Sequence, residues 1–181
     1  LVIPADLRLD TSLIQANPLN LYRLTRTSFA TLGGFGSAAF PGRWNRMGQR
    51  ALYTSVEQGT CVLERLAHQA DKRFIPTNLV MMRLQLAGNW VSDANQDLQD
   101  QKTGAIVLRR PSLSQADGLP MAGDASSVIA MAVPSVILPV WNFILYPDCE
   151  LLSGHLSLQE VLPFHFDPRL FAKDASFEAM T

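Results

Sequence analysis

The chain has 181 residues, 48% hydrophobic and 17% charged, and 15 Lys and Arg against 16 Asp and Glu leave a net charge of −1. That length suffices for one domain with a real core, and the near-neutral, apolar composition excludes both a disordered chain and the basic field of a non-specific nucleic-acid binder. Two cysteines, Cys61 and Cys149, and three scattered histidines, His68, His155 and His165, are too few and too dispersed for a disulfide scaffold or a metal site. A reduced, soluble, cytoplasmic domain is expected.

Residues 1–18 contain Pro4 and Pro18 and read as an irregular lead-in; LVIPADLRLD shows no basic region followed by an apolar run, so no secretory signal is expected. Leu19 to Arg26 alternate between apolar and polar residues, which predicts a strand. Arg23 shares strand parity with Leu19 and Leu21 and should face an apolar side, where an arginine needs an anionic partner, from the protein or from a ligand. Residues 31–50, rich in glycine, predict a long structured loop. Within it Gly34 to Ala39 matches the G-x-G-x-x-[GA] dinucleotide fingerprint, but Pro41 and Gly42 fall where the required helix should run. Gly42-Arg43-Trp44-Asn45 is denser in unusual residues than a plain turn needs. Arg43 could present its planar fork to a phosphate, or simply be a surface arginine beside a core tryptophan.

Ala51 to Thr54 predicts a short strand, and a helix should follow, with Ser55 as N-cap and Gln58 completing a capping box. Val56, Leu63, Leu66, Ala67 and Ala70 fall on one arc of that helix and predict its buried face; Glu64 lies at the margin, either aimed into a cleft or solvated. Further strands are expected at Leu79 to Leu86, Ala105 to Arg109, Val128 to Val133, Ser135 to Leu138 and Trp141 to Tyr146, with a polar insertion over 88–104. Ala125 to Tyr146 carries no charge and is long enough to span a bilayer, yet Pro134 and Pro139 would cut such a helix apart. Buried strands are the better reading, with Ser135 between two of them. The segment LPFHFDPRLF gives no clear signal, and the last residues should fray. The pattern is that of an α+β domain.

Leu21-Tyr22-Arg23, Gly42-Arg43-Trp44-Asn45 with Gly48, Leu52-Tyr53-Thr54-Ser55, Leu63-Glu64-Arg65-Leu66 and Val133-Pro134-Ser135 with Asn142, in that order, resemble the RES domain. That family is named for an Arg, a Glu and a Ser, here matched by Arg23, Glu64 and Ser135. The likeness covers roughly residues 19–150 of a single domain, with 151–181 as a C-terminal extension. It implies an ADP-ribosyltransferase-like fold, two small and mostly antiparallel sheets around an NAD cleft with flanking helices. It implies a bacterial toxin that cleaves NAD at the nicotinamide–ribose bond, or transfers ADP-ribose to a protein. A catalytically inactive partner-binding module is the alternative from another class.

Arg23, Glu64 and Ser135 are the implied catalytic residues, and Arg43, Trp44, Asn45 and Tyr53 the implied NAD-binding residues. NAD is then substrate rather than cofactor, with water, inorganic phosphate or a protein as acceptor and no metal. The implied partner is an Xre-type helix-turn-helix antitoxin, in a hetero-oligomer that leaves DNA binding to the antitoxin. Two departures stand out. Gly123-Asp124 is not followed by the Trp common in the family, and the usual Asn-Pro-x-His appears as Tyr146-Pro147-Asp148-Cys149.

Overall fold

The computed structural model describes residues 18–68, 76–87, 91–92, 106–109, 129–135, 137–149 and 152–170. The expectations for 1–17, for most of the polar insertion, for Gly123-Asp124 and for the last eleven residues lie outside these. Strand β1 spans Leu19–Arg26 and leads into a 3-10 turn, Thr27–Phe29, and a five-residue helix α1, Phe35–Ala39. Strand β2, Leu52–Ser55, is followed by helix α2, Gln58–Ala67. Then come β3, Leu79–Leu86; β4, Val91–Ser92; β5, Ile106–Arg109; β6, Ala130–Pro134; β7, Trp141–Leu145; and β8, Leu156–Phe164. The chain is α+β, and no described helix is long and apolar enough to cross a membrane. The uncharged stretch before Tyr146 instead supplies β6 and β7, which pair antiparallel from Ala130↔Leu145 to Pro134↔Trp141.

The resemblance implied two small sheets; the described strands form one eight-stranded sheet in the order β4-β5-β6-β7-β2-β1-β3-β8. Its pairings are all antiparallel. The physical reason for the difference is local. Strands β1 and β3 pair over eight registers and β2 and β7 over four, but β1 and β2 meet at the single pair Tyr22↔Ser55. Two half-sheets are thus joined by a narrow bridge.

Alternation places the core on both faces. Trp141, Phe143 and Leu145 of β7 join Leu19, Leu21, Leu52, Met82 and Leu84 in the larger cluster. Ile144 points the other way, into a smaller cluster of Ala51, Met131, Val133 and Tyr146, against which Trp44 and Tyr53 pack. Asn142, two residues before Ile144, takes the parity of that second face.

Three local expectations are corrected. Helix α2 has Glu57 at its N-cap with no side-chain cap bond, because Ser55 is claimed by β2, where it pairs with Asn142 and is buried. The helix buries Thr60 and Cys61, while Leu63 stays 39% exposed and Ala67 is exposed; Cys61 Sγ lies 3.1 Å from Tyr22 O, which turns that edge onto β1. The expected strand from Ser135 to Leu138 is corrected at its described residues, where Ser135 N donates to Val140 O at 2.9 Å and Ile137 and Leu138 lie in a bend. The unclear tail yields β8, an edge strand paired with β3 over eight registers. Its Leu158, Val161 and Leu162 remain exposed, so nothing in its environment imposed the alternation that sequence reading needs.

Leu21→Ala should lower stability by about 2–5 kcal/mol, because Leu21 is fully buried where β1 meets β3, whereas Leu162→Ala should change it by less than about 0.5 kcal/mol. Thermal unfolding should show a Tm drop of roughly 5–15 °C for the first and a near-superimposable curve for the second.

Candidate active site

The loop between β1 and β2 is built around two side chains. Ser37 Oγ lies 2.7 Å from Gly34 O and 2.8 Å from Ala51 O, and it accepts from Ala51 N at 2.7 Å. Gly34 adopts φ +65°, and a Cβ there would stand 3.0 Å from Ala51 N, so a side chain is excluded on both counts. The fingerprint match therefore holds a one-turn helix after a loop, without the strand-to-helix turn that dinucleotide binding needs. Asn45 is 2% exposed and saturated: its Nδ2 donates to Ser37 O at 2.8 Å, and its Oδ1 accepts from Gly42 N at 3.1 Å and from Tyr53 Oη at 2.7 Å.

The sequence reading grouped Asn45 with the ligand-binding residues; with both ends of its amide used, it holds the loop instead. Tyr53 Oη also accepts from Trp44 N at 3.3 Å, so its hydroxyl is committed to the loop while its ring packs against the second cluster. A Cβ at Gly42 would come within 2.5 Å of that hydroxyl. Burial pushes the Tyr53 phenol up and keeps it neutral. Tyr146 is buried too, and its hydroxyl donates to Trp44 O at 2.9 Å. Asp148 binds the Arg50 side chain, Nε to Oδ1 at 2.6 Å. The segment standing for Asn-Pro-x-His thus props the loop from beneath. Arg43 is among the side chains that the loop leaves exposed, with its guanidinium 5.4 Å from the centre of the Trp44 ring.

Arg23 sits where the two half-sheets part. After Tyr22↔Ser55 the ladder ends, and Arg23 Nη1 donates to Tyr53 O at 3.3 Å. Its Nε is buried with no partner, and among the described residues no carboxylate reaches the guanidinium. Burial pulls its pKa well below the usual guanidinium range, to about 10, only partly offset by Cys61 and Tyr53. Cys61, buried beside it, is pushed up to about 11, chiefly by burial, with the Glu64 charge adding to the rise and Arg23 opposing it. Cys61 thus feels the charges of both Arg23 and Glu64. A buried cation with an orphaned donor costs stability and fits an anionic ligand.

Glu64 reaches from α2 to the other half-sheet. Ser135 Oγ and Asn142 Nδ2 both donate to its Oε1, each at 2.7 Å. Ser135 Oγ in turn accepts from Ile137 N at 3.1 Å and Leu138 N at 3.3 Å, so this hydroxyl is saturated and acts through Glu64. Among the described residues no donor reaches Glu64 Oε2, and Asn142 Oδ1 is buried without a partner. Asn142 belongs to the residues that carry the RES resemblance, which implies no role for it. Its signal was an amide on the parity of Ile144, opposite Ser55 in an otherwise apolar strand.

The site residues are a fixed carboxylate with one free oxygen and a buried arginine with no carboxylate partner among the described residues. The description RES domain fits residues 20–167. The chain belongs to the RES domain family. Toxin Res of Photorhabdus laumondii is 28% identical over 153 residues, 83% of this chain and 96% of that protein. Among solved structures, the crystal structure of the M.tuberculosis MbcT-MbcA toxin-antitoxin complex contains a chain with the same fold, at TM-score 0.52 and 18% identity over 84% of this chain and 86% of that one. The RES match extends through β8, which the resemblance had placed in an extension.

Arg23→Met removes a charge that folding must desolvate. The folded pKa lies below the unfolded one, so the penalty is present in full below about pH 10 and relieved as pH rises past it toward the ordinary guanidinium range. At pH 7 the variant should be more stable by about 1–2 kcal/mol, raising Tm by roughly 3–6 °C while binding of a phosphate-bearing ligand is lost. A lower Tm in thermal unfolding would show that the guanidinium has a counter-charge after all.

Proposed function

We propose that this RES-domain protein is the toxin of a toxin–antitoxin pair and that it cleaves NAD at the nicotinamide–ribose bond. The observation that carries the reading is the Glu64 carboxylate, pinned through Oε1 by Ser135 and Asn142 with Oε2 left free. Departure of nicotinamide leaves positive, oxocarbenium-like character on the ribose, as in glycoside hydrolysis, and a fixed anion stabilises that charge most when it needs no reorientation. The C1–N bond breaks with its electron pair passing to the pyridinium nitrogen, so nicotinamide leaves neutral. The acceptor oxygen then bonds C1 and gives up its proton; water yields ADP-ribose, and phosphate yields its 1-phosphate ester.

Arg23 and the exposed Arg43 suit the pyrophosphate, because a guanidinium fork matches phosphate oxygens bidentately. The parted half-sheets support an ADP-ribosyltransferase-like cleft, although they remain one sheet here. The likeness to Toxin Res and to a chain of a toxin–antitoxin complex supports an antitoxin partner, which we take to be Xre-type and to carry the DNA-binding task in the cytoplasm. NAD is the substrate, and no redox step is involved.

Purified chain, free of antitoxin, should release nicotinamide from NAD, with product analysis in the presence and absence of phosphate identifying the acceptor. Glu64→Gln should cut the rate roughly 100-fold, about 3 kcal/mol, with the fold retained. NAD left intact in both buffers would overturn the reading, and a loss below about threefold would take Glu64 out of its centre. An adduct on a target protein by intact mass would redirect the reading to ADP-ribose transfer. A stoichiometric antitoxin should suppress turnover.

A further inference from the structure

Three polar groups converge in the gap between α2 and β7, and their remaining capacity can be counted. A carboxylate only accepts, so the end of the Asn142 amide that faces Glu64 at 2.7 Å must be its NH2. That fixes the amide and turns Oδ1 to the other side, where it is buried and finds no donor. Ser135 has nothing left to offer, having one donor spent on Glu64 and two acceptor positions filled by Ile137 N and Leu138 N. Two unused groups remain, Glu64 Oε2 and Asn142 Oδ1, and both are acceptors. The residue Asn142 is itself half-buried, at the boundary between core and solvent.

Two unused acceptors on hydrogen-bonded side chains, one of them charged, are complementary to a ligand end that carries donors and develops positive charge. At the cleaved end of NAD the donors are the ribose hydroxyls and the carboxamide NH2. The hydroxyls belong with the charged Oε2, since the positive charge develops on the ribose; the carboxamide then falls to the neutral Oδ1. We propose that Asn142 ties the leaving group to the carboxylate, its Nδ2 holding Glu64 through Oε1 while its Oδ1 accepts a hydrogen bond from the nicotinamide carboxamide.

This rests on the NAD-cleaving reading and adds a specificity to it. The dinucleotide of nicotinic acid offers a carboxylate in place of the amide. It has no donor for Oδ1, and its negative charge would lie beside Glu64. A site built to receive a donor rejects an analogue that lacks it more strongly than an apolar pocket rejects a change of size.

The test compares kcat/KM of the full chain for NAD and for nicotinic acid adenine dinucleotide. The wild-type protein should prefer NAD by about tenfold or more. Asn142→Leu, which loses both ends of the amide, should turn over NAD more slowly and bring the preference to within about twofold. Ser135→Ala, which loses only a donor to Glu64, should be slower but keep the wild-type preference; a purely structural role for Asn142 would not separate the two variants in this way.

If Asn142→Leu does not fold, product inhibition of the wild-type protein decides, with nicotinamide inhibiting and nicotinate not. Equal turnover of both dinucleotides by the wild-type protein, or an undiminished preference in Asn142→Leu, would overturn the assignment alone. A wild-type protein that consumes neither would remove the cleavage reading and this assignment with it.

Discussion

Tyr22 and Ser55 form the single register pair that joins the two half-sheets, and the chemistry of the chain gathers where that pairing stops. A complete ladder between β1 and β2 would have used the backbone groups of Tyr53 and closed the space that Arg23 enters. Instead the ladder ends after one pair, a side-chain guanidinium takes up Tyr53 O, and α2 crosses the opening with Cys61 on one half and Glu64 on the other. Ser55 serves both sides of this arrangement. Its backbone is paired toward Tyr22 and Asn142, so the residue that a sequence pattern offers as a helix cap is held in the sheet, and α2 starts without one. The bridge and the uncapped helix are one constraint seen from two sides.

The charges at this opening are arranged at the expense of stability. A fold selected for stability alone would give Arg23 a carboxylate or replace it by an apolar residue, because desolvating an unpaired cation is costly. Glu64 is the obvious counter-ion by sign, yet its Oε1 is taken by Ser135 and Asn142, and the guanidinium turns to a backbone carbonyl. Keeping the two apart preserves both: a direct pair would neutralise the carboxylate's field and fill the arginine's fork. The orphaned Arg23 Nε and Asn142 Oδ1 are the local record of that separation.

The legibility of the chain followed what each residue is bound by. Strand β1 is legible at its true ends because it lies partly exposed and alternates over its first residues, and β3 because it is an almost wholly buried apolar run broken only by Arg83 and Gln85. Strand β8 is not, because it is exposed along nearly its whole length as an edge and its apolar residues obey no face. The arc assigned to α2 is met only in part, at Val56 and the half-buried Leu66, because the helix rests on Thr60 and Cys61, residues of low hydrophobic weight, while Leu63 faces out. Arg23 was legible as a buried arginine from its parity with Leu21, but the lack of a partner is a fact of three dimensions. Asn45 and Ser135 were recognisable as a pattern, while their saturation by backbone groups depended on turns that no periodicity describes.

Between Asp10 and Glu57 the sequence carries five arginines and no acid. Only Arg50 of these finds a carboxylate among the described residues, and it does so from far along the chain, at Asp148. The near-neutral total thus conceals a segmental imbalance: this stretch supplies positive charge and one wall of the opening, while the fixed carboxylate comes from α2 and its donors from β7 and the bend before it. Opposite charges sit on separate elements, each held by neutral hydrogen bonds instead of by the other. A ligand with an anionic middle and an end that turns cationic as it reacts matches both at once. The separation along the sequence therefore becomes a separation between elements, on either side of the single-pair bridge in the sheet.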